Sequence, residues 1–223
     1  MTMLSGRTKE LERMLCTARC VDGFRQQMSG LVGIIMRLID DQGPIVLHVT
    51  AATEGDGTSL IAHGLAVATA QSRWCKVALL DASLPRNAVP PGNALPSVLR
   101  AFDATQAPQL IPQTVGDTEM SVGSLDLAAS AMPNIEGMRA LYGRLRNGFT
   151  LTIIDYPPVN GSKALAAYAK LADGVLLVVS AERTQVTEVE QALARLEQAE
   201  AMVLGIVMNR HRRRVPRFLD RLL

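Results

Sequence analysis

Cysteine is scarce. Cys16, Cys20 and Cys75 are an odd, scattered set, which excludes a disulfide framework and fits a reducing compartment. Cys16 and Cys20 are spaced to share a helix face, yet no histidine or third thiol stands beside them to complete a zinc site, and burial as small apolar residues explains them better. Long apolar runs are missing as well. Stretches such as Leu31 to Met36 and Gly174 to Val179 fall far short of a bilayer span. The opening residues carry Arg7, Lys9, Glu10, Glu12 and Arg13 where an export signal would have an apolar core. The expectation is a soluble, cytoplasmic protein that reaches the inner membrane face only peripherally, through a partner or its basic tail. Charge of one sign is also lacking: 23 basic against 21 acidic residues leave a net charge of +2. A surface basic throughout is therefore excluded, and nucleic acid is not an expected partner.

What is present centres on Ile45 to Leu60, IVLHVTAATEGDGTSL. β-Formers run into a Gly-broken turn and then into a helix-compatible segment, the layout of a loop that wraps phosphates in backbone N–H groups. The pattern G-x-x-x-x-G-K-[ST] asks for Gly at 52 and Lys at 58. This chain has Ala52 and Thr58 there, and keeps Gly57 and Ser59. In a working loop the lysine ammonium stabilises charge as the γ-phosphoryl group is transferred. Threonine brings a hydroxyl and no charge, so fast transfer is not expected. Binding is still expected at Gly55, Asp56, Gly57, Thr58 and Ser59, with Ser59 as a magnesium ligand. The plain alternative is an ordinary strand–turn–helix connection containing two glycines.

The spacing predicts two helices over residues 8–40, the first with Leu11, Met14, Leu15 and Ala18 on one face, the second with an apolar stripe from Phe24 to Ile39. Strands follow over Ile45–Thr50, Lys76–Asp81, Thr150–Asp155, Asp173–Ser180 and Val203–Asn209. Helices are expected over 59–72, 135–146 and 162–171, and after Val186. Residues 84–121, rich in proline, read as a partly irregular excursion holding a short helix near Ser97–Phe102 and a brief strand near Met120. Continuous apolar strands alternating with helices give an α/β fold, a three-layer sandwich around a mostly parallel sheet. Residues 1–44 form helices packed on or extending from the core, and residues 45–223 form the α/β domain with a basic tail, one structural domain in all. Ligands in such sheets sit at the carboxyl ends of the strands, where Thr50–Ser59, Asp81, Asp155 and Asn209 all fall. Carboxylates there hold magnesium against a bound polyphosphate, which singles out Asp81 and Asp155.

These residues resemble the bacterial tyrosine autokinases of capsule and exopolysaccharide synthesis, within the MinD-like branch of the P-loop NTPase fold. The resemblance is carried by VTAATEGDGTSLIAHGLA, VALLDASLPRN, FTLTIIDYPPV and DGVLLVVSAERTQVTEVEQALARLEQAEAMVLGIVMNR. It implies ATP or ADP with Mg2+ as ligands, held by the loop, by Ser59, Asp81 and Asp155, and by Asn209 and Arg210 at the adenine. It also implies a membrane polysaccharide co-polymerase, or chain-length protein, as partner. Departures fall on the chemistry. Lysine is absent at 58, and the signature lysine of the wider group is absent at Thr53. The family's D-x-D reads Asp81-Ala82-Ser83, and serine does not serve as a base at neutral pH. The C-terminal tyrosine cluster is missing, the last tyrosine being Tyr168. The ring-forming E-x-x-R-x-x-R motif appears as Asp22, Arg25 and Met28, which implies altered homo-oligomerisation. Without the family, Asp22 and Arg25 read as an i, i+3 pair on a solvated face, and Asn209 reads as a turn cap.

Three functions are compatible with this set. The first is a degenerate, kinase-like regulatory or binding subunit of polysaccharide synthesis and export, with weak or no ATP turnover and, at the limit, no cofactor. The second is an active tyrosine autokinase or ATPase that recruits a cation from elsewhere, with Lys76, Lys163, Arg86 and a neighbouring subunit's arginine as candidates and Asp81 and Asp155 as its catalytic carboxylates. The third is a MinD/ParA-like positioning protein, against which Thr53 speaks. For the arginines from Arg210 to Arg217 the readings are a solvated terminal helix, contact with anionic lipid or a membrane partner, and nucleic acid, in that order.

Overall fold

The structure, a computed structural model, describes residues 18–71, 75–82, 110–115, 118–125 and 134–210. Helix α1 (Ala18–Gln42) leads into β1 (Ile45–Ala51) and α2 (Thr58–Ala70). Next come β2 (Val77–Asp81), β3 (Ile111–Val115), β4 (Thr118–Ser124), α3 (Ile135–Gly148) and β5 (Leu151–Asp155). After a short 3-10 turn at Val159–Gly161 follow α4 (Lys163–Tyr168), β6 (Gly174–Ser180), α5 (Val186–Gln198) and β7 (Val203–Asn209).

The seven strands form one sheet in the order β3-β4-β2-β5-β1-β6-β7. All neighbours pair in parallel except β3 and β4, which are antiparallel. β1 lies between β5 and β6, and every residue of β1 and β6 is buried. This is why both read as unbroken apolar runs: a central strand of a parallel sheet is covered on both faces. On one face α1 and α2 contribute Met28, Ile35, Ile61 and Leu65 to a core with Leu47, Val49 and Ile153. On the other, α3, α4 and α5 contribute Leu141, Leu145, Leu165 and Leu196 to a core with Val46, Ile154 and Leu177. The three-layer α/β reading therefore holds.

Two expectations change. The helical boundary expected between Ala18 and Phe24 is absent, because α1 runs through it; Gly23 alone costs a helix only about 1 kcal/mol. The other helical face, around Leu11 and Leu15, lies outside the described residues, as does the segment Ser97–Phe102. The brief strand near Met120 is one arm of a hairpin, with Ile111 opposite Val122 and Val115 opposite Thr118. Pro112 is accommodated because β3 is the sheet's edge, where one side of the strand has no ladder to donate into. β7 is the opposite edge, and Ile206 and Met208 on it are exposed. No described helix is long and apolar enough to cross a membrane.

Candidate functional site

Parallel pairing brings the carboxyl ends of β1, β2, β5, β6 and β7 to one rim. Asp81 and Asp155 are register partners on adjacent strands, and Asp155 is also opposite Val49 of β1. The loop therefore leaves β1 beside both aspartates. Asp155 is only 6% exposed, which leaves its carboxylate at the rim but out of bulk solvent.

The loop between Ala52 and Gly57 turns by means of two left-handed glycines, Gly55 with φ +83° and Gly57 with φ +93°. Both positions are also crowded. A Cβ at Gly55 would stand 2.8 Å from the Arg183 Nη1, and one at Gly57 would run into the Asn209 side-chain amide. Glycine is thus required by dihedral at both positions and also by space at Gly57, where the Asn209 amide is held by its own hydrogen bond. Ala52, in contrast, is fully buried, so its methyl is accommodated where the phosphate-loop pattern has glycine.

Asp56 is fully buried beneath the loop. Its Oδ2 accepts from the Thr53 backbone N–H at 3.1 Å and from the Thr53 hydroxyl at 3.2 Å, and its Oδ1 accepts from the Thr184 hydroxyl at 2.7 Å. Its backbone carbonyl accepts from the Asn209 amide at 2.8 Å. The carboxylate is thus committed to bracing the loop from within rather than turned towards a ligand. Asn209 is shared in the same way, since its Oδ1 accepts the Arg210 N–H at 2.8 Å. That bond is the turn cap read from the sequence, and it leaves one amide N–H for a further acceptor. Arg210 takes a positive φ of 57°.

Thr58 opens α2 with Gly57 as its cap, and no side chain caps this end. The first N–H groups of a helix have no acceptor within it, and here they follow the two glycine-dependent bends. The backbone donors of a phosphate-cradling loop are therefore in place, at the same rim as Asp81 and Asp155. Behind the rim, His63 of α2 has its pKa lowered to about 4 by burial, opposed in part by the nearby Asp81 carboxylate.

Sequence reasoning missed the turn after β6. Thr184 braces Asp56, and the Arg183 Nη2 donates to the Glu54 carbonyl at 3.1 Å. The only signal was indirect, because one must know that β6 adjoins β1 before residues 181–184 are seen to border the loop. Of the cations proposed from sequence, Lys76 precedes β2 and bonds through its N–H to Thr150 at the opposite end of the sheet. Arg86 and Ser83 lie outside the described residues. Asp22 and Arg25 lie in the first turns of α1.

No family model matches the chain. It is 27% identical over 173 residues to the tyrosine-protein kinase CpsD of Streptococcus agalactiae, covering 74% of each chain. To the tyrosine-protein kinase YwqD of Bacillus subtilis it is 26% identical over 168 residues, covering 72% of this chain and 70% of the relative. The kinase domain of the Escherichia coli tyrosine kinase ETK superposes with a TM-score of 0.67 at 22% identity, covering 91% of this chain and 83% of that one. MinD of Aquifex aeolicus superposes at 0.56 with 19% identity, covering 75% and 70%. A nucleotide-binding protein from Archaeoglobus fulgidus in complex with ADP superposes at 0.50 with 24% identity, covering 78% and 69%. Sequence and fold agree in what the chain is similar to: bacterial tyrosine kinases by sequence, and their kinase domains and MinD by fold.

Proposed function

We propose that this chain is a nucleotide-binding regulatory subunit of a capsule or exopolysaccharide synthesis and export system, with weak or no ATP turnover. One observation carries the reading: the loop is fully braced for binding by Asp56, Thr184 and Asn209, while position 58, where the family's transferring lysine belongs, holds threonine. Binding and transfer make separate demands. Backbone donors and a helix N-terminus suffice to hold polyphosphate, whereas transfer needs cationic charge matched to the transition state. ATP or ADP with Mg2+ is the proposed ligand, with Ser59, Asp81 and Asp155 on the metal. The proposed partner is a membrane polysaccharide co-polymerase that reads the nucleotide state, and Asp22 and Arg25 are the proposed contacts between copies.

The test combines titration calorimetry with ATP and ADP in magnesium, on the wild type and Thr58→Lys, with a phosphotyrosine assay using labelled ATP. The expected outcome is measurable binding by the wild type, binding strengthened about tenfold by Thr58→Lys, as a charge-assisted contact gives, and no phosphotyrosine on either. Phosphotyrosine accumulating on the wild type would remove the regulatory reading. It would favour the second one, an active kinase or ATPase with a recruited cation, which the Arg183 guanidinium beside the loop supports.

A further inference from the structure

We infer that Arg183 is the phosphate-contacting cation of this loop, taking over for a nucleoside di- or triphosphate the binding role that a lysine at 58 would have had. The inference rests on the reading of the loop as a nucleotide site and names the side chain that gives the site its charge. The loop carries Glu54 and Asp56 and no basic residue of its own. An anionic ligand placed there needs a positive group from another segment, and the turn after β6 delivers one.

Its placement is built rather than incidental. The turn is closed on itself, with the Arg183 and Thr184 N–H groups both donating to the Ser180 carbonyl, at 3.2 and 3.0 Å, and the Ser180 N–H donating to the Thr184 hydroxyl at 2.9 Å. Thr184 then reaches beneath the loop to Asp56, and Arg183 lies against Gly55 from the outer side. Two consecutive residues thus fix one turn to the loop from two directions. A guanidinium offers five N–H donors in a planar fork, and the bond to the Glu54 carbonyl uses one of them. That bond positions the group, leaving the rest of the fork to meet phosphate oxygens in the bidentate manner such pairs favour. Gly55 is what makes the approach possible, since a Cβ there would displace the guanidinium. The φ of +83° at position 55 requires glycine, and the missing Cβ leaves the guanidinium room beside the loop.

The experiment is calorimetric titration of wild type, Arg183→Gln and Arg183→Lys with ATP, ADP and AMP in magnesium. Arg183→Gln keeps an N–H donor for the Glu54 carbonyl and removes the charge, so the turn retains its anchor. Expected is a loss of about ten- to a hundredfold in ATP affinity for Arg183→Gln, the worth of a charged hydrogen bond. The loss should be smaller for ADP and smallest for AMP, with partial retention in Arg183→Lys, and Thr58→Lys should restore ATP binding to Arg183→Gln. Equal losses for all three nucleotides would reduce Arg183 to a structural brace and overturn the inference, as would unchanged ATP affinity in Arg183→Gln, while the proposed function stood. A wild type that binds none of the three would overturn the nucleotide reading and this inference together.

Discussion

At the scale of single residues, the loop's shape depends on two left-handed glycines and one buried carboxylate. Replacing Gly57 by Ala places a methyl on the Asn209 amide and strains a φ of +93°. The expected cost is about 1–3 kcal/mol of stability, as for other side chains held in left-handed backbone, with nucleotide binding lost; urea denaturation and calorimetry measure the two. Asp56→Ala acts differently, because it removes the acceptor for Thr53 and Thr184 at once. Leaving those donors in a buried setting costs about 1–3 kcal/mol, and Asp56→Asn, which keeps an acceptor, should recover part of the loss in the same denaturation assay. The sequence showed that position 56 belongs to the loop. It did not show that the carboxylate turns inward, because that depends on Thr184, distant in the chain and brought near only by the pairing of β1 with β6.

At the scale of elements, four of the five apolar strands were legible because they are buried almost throughout, and β7, a half-exposed edge, was legible from its continuous β-formers. The hairpin was not. β3 is an edge strand holding Pro112 and opening on an exposed Ile111, so neither alternation nor an apolar run marks it. Strand order was equally hidden, and with it the role of the turn bearing Arg183. A second clamp, at the other end of the sheet, was also beyond local pattern: Asp173 takes the Arg146 guanidinium through Nε at 3.0 Å and Nη2 at 2.9 Å, and accepts the Val46 N–H at 2.7 Å. It joins α3, β1 and the start of β6 across 127 residues of chain. Asp173→Ala strands a partly buried guanidinium and a backbone donor together, so a loss of about 2–3 kcal/mol is expected. Because this clamp is remote from the rim, nucleotide affinity measured on the folded fraction should be unchanged, in contrast to Asp56→Ala.

At the scale of the whole molecule, the two cores carry a titration that links fold stability to pH. His48, in the middle of β1, is fully buried; its Nε2 is 2.7 Å from the Tyr142 hydroxyl, which lies 3.1 Å from the Tyr156 hydroxyl. Burial lowers the His48 pKa to about 3, and burial of His63 on the opposite face lowers that one to about 4. Burial pushes both tyrosines up, so the cluster is neutral throughout the working range. In the unfolded chain both histidines titrate at the ordinary value of about 6.5. Above that pH neither state binds these protons, and the full stability is present. As pH falls below it, the unfolded state takes up protons that the folded state refuses, and stability declines until the folded pKa values are reached. Each imidazole contributes a slope approaching about 1.4 kcal/mol per pH unit in that window. Urea denaturation at pH 7, 6 and 5 should therefore show a progressive loss. His48→Gln keeps a side chain able to meet Tyr142 and does not titrate, so its stability, whatever its value at pH 7, should fall less steeply from there to pH 5 than that of the wild type. Parallel slopes for the two proteins would mean that the buried imidazole of β1 is not what makes this fold acid-sensitive.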